Sequence, residues 1–148
     1  MSDQRPHVRV YTDGACDPNP GPGGWAYILI HVSTGTEKEG FGSDPDTTNN
    51  RMELTAAIEA LKTLKTSCVV ELFTDSEYLH KGLTVWMPQW IANHWRRSNK
   101  APVLNSDLWK ALHALTQEHE VTPHWVEAHA GDPYNERVDR LARAAILR

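Results

Sequence analysis

At Thr47 the apolar pattern of the chain changes period, from the alternation of extended strands to the spacing of a helix. Before that point, residues 7–12 alternate as one strand and "GWAYILIHV" at 24–32 as a second. A weaker third, "TEKEGFG" at 36–42, follows the "STG" turn, so an antiparallel meander is expected. After it, Leu54, Ala57, Ile58, Leu61 and Leu64 form a stripe at i, i+3, i+4 and i+7, with Thr47 or Thr48 available as the cap. "CVVELFTDS" at 68–76 reads as a buried strand, "SEYLHKGLT" as a short helix, and Leu108, Ala111, Leu112 and Leu115 mark a helix after Asp107. "VTPHWVEA" at 121–128 is a last strand, with Pro123 favouring an edge or a strand start. The final helix opens on Asp132 as cap and Pro133 at its first position, and carries a stripe of Val138, Leu141, Ala142, Ala145 and Ile146. The predicted order is βββαβααβα, an α/β chain with no repeat or linker, so residues 1–148 are expected to form one domain.

A chain of 148 residues buries roughly two thirds of its unfolded surface without help from disulfides or a structural metal. Forty per cent apolar and 23% charged residues match a globular protein, and no run approaches the roughly 18 apolar residues of a membrane helix. The opening "MSDQRPHVRV" lacks an apolar signal segment, and Cys16 and Cys68 are too few for a secreted disulfide framework. A reducing, cytoplasmic setting, no membrane partner and a monomer are the expectations.

"VRVYTDG" and "VELFTDS" echo one another, each an apolar-rich strand ending in an aromatic residue, Thr and Asp. Asp at a strand end is a common turn-former. If the two strands are parallel neighbours, however, Asp13 and Asp75 emerge together at the carboxyl edge of the sheet, where ligands of α/β folds collect. Glu53 and Asp139 each lie at the border of a helix's apolar stripe, a position that is usually solvated. Four converging carboxylates would repel one another unless cations lay between them, and hard oxygen ligands suit Mg²⁺ or Mn²⁺. The eight histidines and two isolated cysteines offer no zinc spacing.

Net charge is −4, unevenly spread. Between Glu77 and Asp107 there is no acid, while Lys81, Arg96, Arg97 and Lys100 fall there, so a +4 segment sits on a −8 remainder. A solvated basic loop is one reading. Trp86, Trp90 and Trp95 in the same interval favour a nucleic-acid surface, with part of the set expected in the core. Acids beside such a segment suggest phosphodiester chemistry by two metal ions.

Five stretches, "YTDGACDPNPGPGGW", "TTNNRMELTAAIEAL", "FTDSEYLHKGLT", "DLWKAL" and "HAGDPYNERVDRLA", together resemble bacterial-type ribonuclease HI over essentially the whole chain, in that family's order and spacing. The resemblance implies the RNase H-like fold, a five-stranded mixed sheet flanked by helices. It also implies an endoribonuclease that hydrolyses the RNA strand of RNA–DNA hybrids to 5′-phosphate and 3′-hydroxyl ends, with two Mg²⁺ or Mn²⁺ ions per site when substrate is bound. The family's acidic tetrad falls on Asp13, Glu53, Asp75 and Asp139, and its auxiliary histidine on His129, which otherwise reads as a surface-loop residue. Cys16, Asn19, Asn49, Asn50, Glu53 and Glu77 are implied to line the minor groove near 2′-hydroxyls, although Asn49 and Asn50 also suit a plain turn. Thr48 resembles a residue that grips a DNA phosphate, and Trp86 one that packs on deoxyribose. The basic protrusion maps to about 81–103, with Trp90, Arg96, Arg97 and Lys100 as substrate contacts.

That protrusion is sparser in lysine than is common in the family, and Glu77 and Glu127 add negative charge near the substrate, so modest, salt-sensitive affinity is expected. A non-catalytic binding module would not require all four acids. A DNA nuclease or transposase of the same fold should lack "TTNNRMEL", and an actin-like ATPase needs a second domain.

Overall fold

The computed structural model describes residues 4–147. Strands β1 (His7–Cys16), β2 (Gly21–His31) and β3 (Glu37–Thr47) form the antiparallel meander, and β4 (Val69–Thr74) and β5 (Glu120–Trp125) add parallel to β1. The resulting five-stranded mixed sheet has the order β3-β2-β1-β4-β5. Helices α1 (Asn49–Lys62) and α4 (Ser106–Glu118) pack together on one side, and α5 (Pro133–Ala144) lies against β1 and β2 on the other. No helix among the described residues is long and apolar enough to cross a membrane.

Alternation along each strand divides the core into two layers. Val8 and Val10 of β1 and Val70 and Leu72 of β4 join Leu54, Leu61, Trp109 and Leu112 in the larger layer. Tyr11, Ala26 and Ile28 meet Val138 and Ala142 of α5 in the smaller one. On that α5 side, Tyr134, Tyr11, Phe73 and His124 stack in a row across the sheet, with ring centroids 5.0, 4.7 and 4.9 Å apart. Tyr11 pairs with Phe73 in the parallel register, so Asp13 and Asp75, two residues further on, continue the same row at the same level.

Several elements run longer than the sequence pattern suggests. The parallel ladder of β1 with β4 ends at Tyr11, yet β1 continues past Asp13 because its other edge stays paired with β2 as far as Cys16 opposite Gly23. Asp13 therefore does not end its strand. Only residues 17–20 form the connection, and β3 runs on to Thr47 instead of stopping at residue 42. The predicted short helix is α2 (Glu77–Lys81), which continues through a π-helical turn (Gly82–Trp86) into α3 (Met87–Ala92). Much of the expected basic protrusion is thus helical, and its loop begins only after Ala92. In α4 the apolar stripe is centred on Trp109 and Leu112, both fully buried, whereas Ala111 is exposed.

Candidate active site

Asp13, Glu53 and Asp75 come from three elements, yet each offers a carboxylate oxygen within 4.8 Å of the others. Gly14 makes the meeting of β1 and α1 close: a Cβ there would overlap the backbone of Met52 and Glu53. Thr48 caps α1, its hydroxyl oxygen accepting from the Arg51 N–H at 3.2 Å, so the helix starts with Glu53 turned inward. Glu53 is not solvated at a helix border; it is only 4% exposed, and its Oε2 is buried without a hydrogen-bond partner. Asp75 follows β4 directly, and Ser76 caps α2 by accepting from the Leu79 N–H at 3.1 Å.

Burial, with Asp75 and Asp139 beside it, pushes the Asp13 carboxyl up to about 8. Burial and the adjacent Asp13 raise Glu53 well above the usual carboxylate range. Burial also raises Asp75, against the Asn135 amide, which donates to its Oδ2 at 3.4 Å and pulls it down. Three acids held this close, one with an orphaned buried oxygen, fit a hard divalent cation such as Mg²⁺ or Mn²⁺.

Asp139 lies near enough to Asp13 and Asp75 to raise both, but its Oδ2 is 2.7 Å from Arg143 Nη2 and it stands outside the close triad. Asn135 is a site residue that the sequence reading missed. It occupies the buried stripe of α5 with Val138 and Ala142, and an amide in an apolar stripe is the signal that marks it. His129 sits exposed in the loop before α5, in the left-handed backbone region at φ 58°, and its charge lowers Asp75.

The residues expected along the substrate groove divide into two groups. Cys16, Asn19 and Asn49 are brought together: the Asn19 Oδ1 accepts from the Asn49 N–H at 3.1 Å, and the Cys16 sulfur lies 3.2–3.5 Å from the carbonyl oxygens of Pro18, Gly21 and Thr47. Asn50 is exposed on the first turn of α1, and Glu77 is exposed on α2 with Lys81 Nζ 3.7 Å away. Cys16 and Cys68 are both free thiols.

Further off, Trp86 and Trp90 are 5.9 Å apart and Trp90 is 5.3 Å from the buried Trp109, so the aromatic set is anchored in the core and half exposed at its tip. Tyr78, Trp86, Trp90, Arg97, Val103 and Leu104 line an apolar groove of about 300 Å³. Arg96, Arg97 and Lys100 are exposed on the loop beyond it, which is folded by Arg97 N–H to Ala101 O at 2.7 Å and Lys100 N–H to Arg97 O at 2.8 Å. Arg51 and Asn105, which the sequence reading did not single out, tie this side to α1: Arg51 pairs with Asp107 at 2.8 Å and donates to Asn105 Oδ1 at 3.2 Å.

The RNase H family model matches residues 5–147. The chain is 53% identical to the ribonuclease H of Ehrlichia chaffeensis over the full length of both. It is 52% identical to that of Cupriavidus necator, covering 94% of each chain, and 51% identical to the ribonuclease HI of Pseudomonas aeruginosa, covering 99% of this chain and 97% of that one. Among solved structures, LC9-RNase H1, described as a type 1 RNase H with the type 2 active-site motif, superposes with a TM-score of 0.87 at 32% identity, over 99% of this chain and 74% of that one. LC11-RNase H1 in complex with RNA/DNA hybrid shares the fold at a TM-score of 0.72 and 24% identity, over 94% of this chain and 96% of that one. A close acidic triad at the carboxyl edge of a β3-β2-β1-β4-β5 sheet, matched by relatives along nearly the whole chain, shows that this chain belongs to the RNase H family, among its bacterial-type ribonuclease HI endoribonucleases.

Proposed function

We propose that the chain hydrolyses the RNA strand of RNA–DNA hybrids by a two-metal-ion mechanism, leaving 5′-phosphate and 3′-hydroxyl ends, with Mg²⁺ or Mn²⁺ held by Asp13, Glu53, Asp75 and Asp139. The observation that carries this reading is the mutually close set of buried Asp13, buried Glu53 and half-buried Asp75, with one Glu53 oxygen unsatisfied. Bound divalent cations supply water activation and stabilisation of the leaving oxygen. Asn135 orients the Asp75 carboxylate, and the exposed His129 assists proton transfer or departure of the cleaved phosphate.

Substrate selection rests on the joined Cys16, Asn19 and Asn49, with Asn50, Glu53 and Glu77 also facing the substrate, the asparagine amides both donating and accepting at a 2′-hydroxyl without adding charge. LC11-RNase H1, which shares this fold, is in complex with RNA/DNA hybrid, and this supports a hybrid duplex as the substrate here. Thr48 grips a phosphate of the DNA strand, and Trp86 and Trp90 with Arg96, Arg97 and Lys100 bind the strand beyond it. One domain acting as a monomer suffices for this arrangement.

The purified protein should cut hybrid RNA in Mg²⁺ or Mn²⁺ and leave single-stranded RNA and duplex DNA nearly untouched. Asp13→Asn should lose about a hundredfold to a thousandfold in hybrid cleavage, by analogy with losing one preorganised electrostatic contact at a reacting centre. Equal rates for the two proteins in saturating metal would sink the mechanism.

A further inference from the structure

We infer that Arg143 is a positioning residue that sets the site's affinity for divalent cation by competing with the cation for Asp139. The inference rests on the reading of Asp139 as a metal ligand.

Asp139 faces two ways. Its carboxylate is near enough to Asp13 and Asp75 to act on both, yet Oδ2 is paired at 2.7 Å with the guanidinium of Arg143, one helical turn further along α5. Asp13, Glu53 and Asp75 already form their close group without it. An acid four residues ahead of an arginine is the favourable order on a helix, so α5 itself promotes this pairing. The Arg143 side chain is 59% exposed and that of Asp139 only 21%. The arginine is therefore the partner free to swing away, and an ion pair with one end in solvent is weak enough for a divalent cation to displace.

While the pair holds, Oδ2 of Asp139 is spent on a monovalent partner and the site carries one positive charge beside it. A cation that draws on that oxygen must first take it from Arg143. Arg143 thus lowers affinity at the fourth acid while leaving the close set of Asp13, Glu53 and Asp75 as it is, and gives the chain a way to hold one ion less tightly than the other.

The test is calorimetric titration of Mn²⁺ into the full chain without substrate, for wild type, Arg143→Gln, Arg143→Lys, Asp139→Asn and the Arg143→Gln/Asp139→Asn double variant. Arg143→Gln should bind Mn²⁺ about 1.5-fold to fivefold more tightly, the scale of removing a surface ion pair. Arg143→Lys should stay near wild type, and the gain should vanish when Asp139 is already Asn. Unchanged or weaker Mn²⁺ binding by Arg143→Gln overturns the inference, as does a gain that persists in the double variant. If Asp139→Asn alone leaves Mn²⁺ binding unchanged, it is the ligand assignment of Asp139 that fails. Circular dichroism melts confirm that each variant is folded.

Discussion

Asp13 carries opposite signs for stability and for function. Burial with Asp75 and Asp139 alongside raises its carboxyl from 3.8 to about 8, so without divalent cation the folded chain favours the protonated acid and the unfolded chain the ionised one. Its stabilising contribution is complete below pH 3.8 and is lost progressively as the pH climbs through about 8. In chelator at pH 8, Asp13→Asn should therefore melt roughly 3–8 °C above wild type, with the gap narrowing toward pH 4. Mg²⁺ should raise the wild-type melting point and close the gap; identical melts in chelator at pH 8 would show that the crowding is not felt. Asp13 and Asp75 were legible in the sequence because two strands repeat the same ending. Glu53 was visible only as a border acid, since nothing in a helical stripe reveals that Gly14 lets the neighbouring strand close over it. Asn135 was hidden because an asparagine near a helix start reads as surface until its place in the Val138–Ala142 stripe is given weight.

At the level of elements, α5 is held at both ends of its reach. Its inner face is packed on Tyr11, Ala26 and Ile28, and its first turns are tied across the sheet to β3. Tyr134 donates to Glu37 at 2.6 Å, and Arg137 donates to Glu37 at 2.8 Å and to Glu39 at 2.7 Å. Because a network of three pairs exceeds an isolated surface bridge, Arg137→Met should lower stability by about 1 kcal/mol. It should also speed amide exchange in the first turns of α5 while leaving β1 and β4 protected; uniform exchange across the chain would refute a local role. The order of strands and helices along the chain was readable from period, but the order of strands in the sheet and the strand ends were not. β1 and β3 outrun their alternating patterns because the partner strand, not the strand's own residues, decides where pairing stops. The helix after Asp75 outruns its pattern for a different reason. Pro88 has no N–H to donate, yet it falls in the first turn of α3, after the π turn has widened the ladder, and the helix resumes there.

Over the whole molecule, a +4 segment rides on an acidic body, and charge and chemistry are carried by different parts. Replacing Arg96, Arg97 and Lys100 together with Ala should raise KM for hybrid roughly threefold to tenfold, lower kcat by less, and flatten the salt dependence of binding. A loss confined to kcat would show that the loop serves the reaction directly. The sequence displayed this division through charge alone, and the i, i+4 spacing of Asp139 and Arg143 permits their pairing on α5, whereas the nearness of Asp139 to Asp13 and Asp75 depends on how that helix is docked. The junction between the parts is the bare Cα of Gly82, where any side chain would collide with the fully buried Trp109 ring. The π turn starts at that contact, and the loop beyond Ala92 is closed by its own bonds from Trp95 N–H to Trp90 O and from Val103 N–H to Trp95 O. This makes the tip an exchangeable fitting: on the proposed reading, loops of other length or charge grafted between Arg96 and Pro102 would retune grip on the duplex, while the socket and the cutting edge stay as they are.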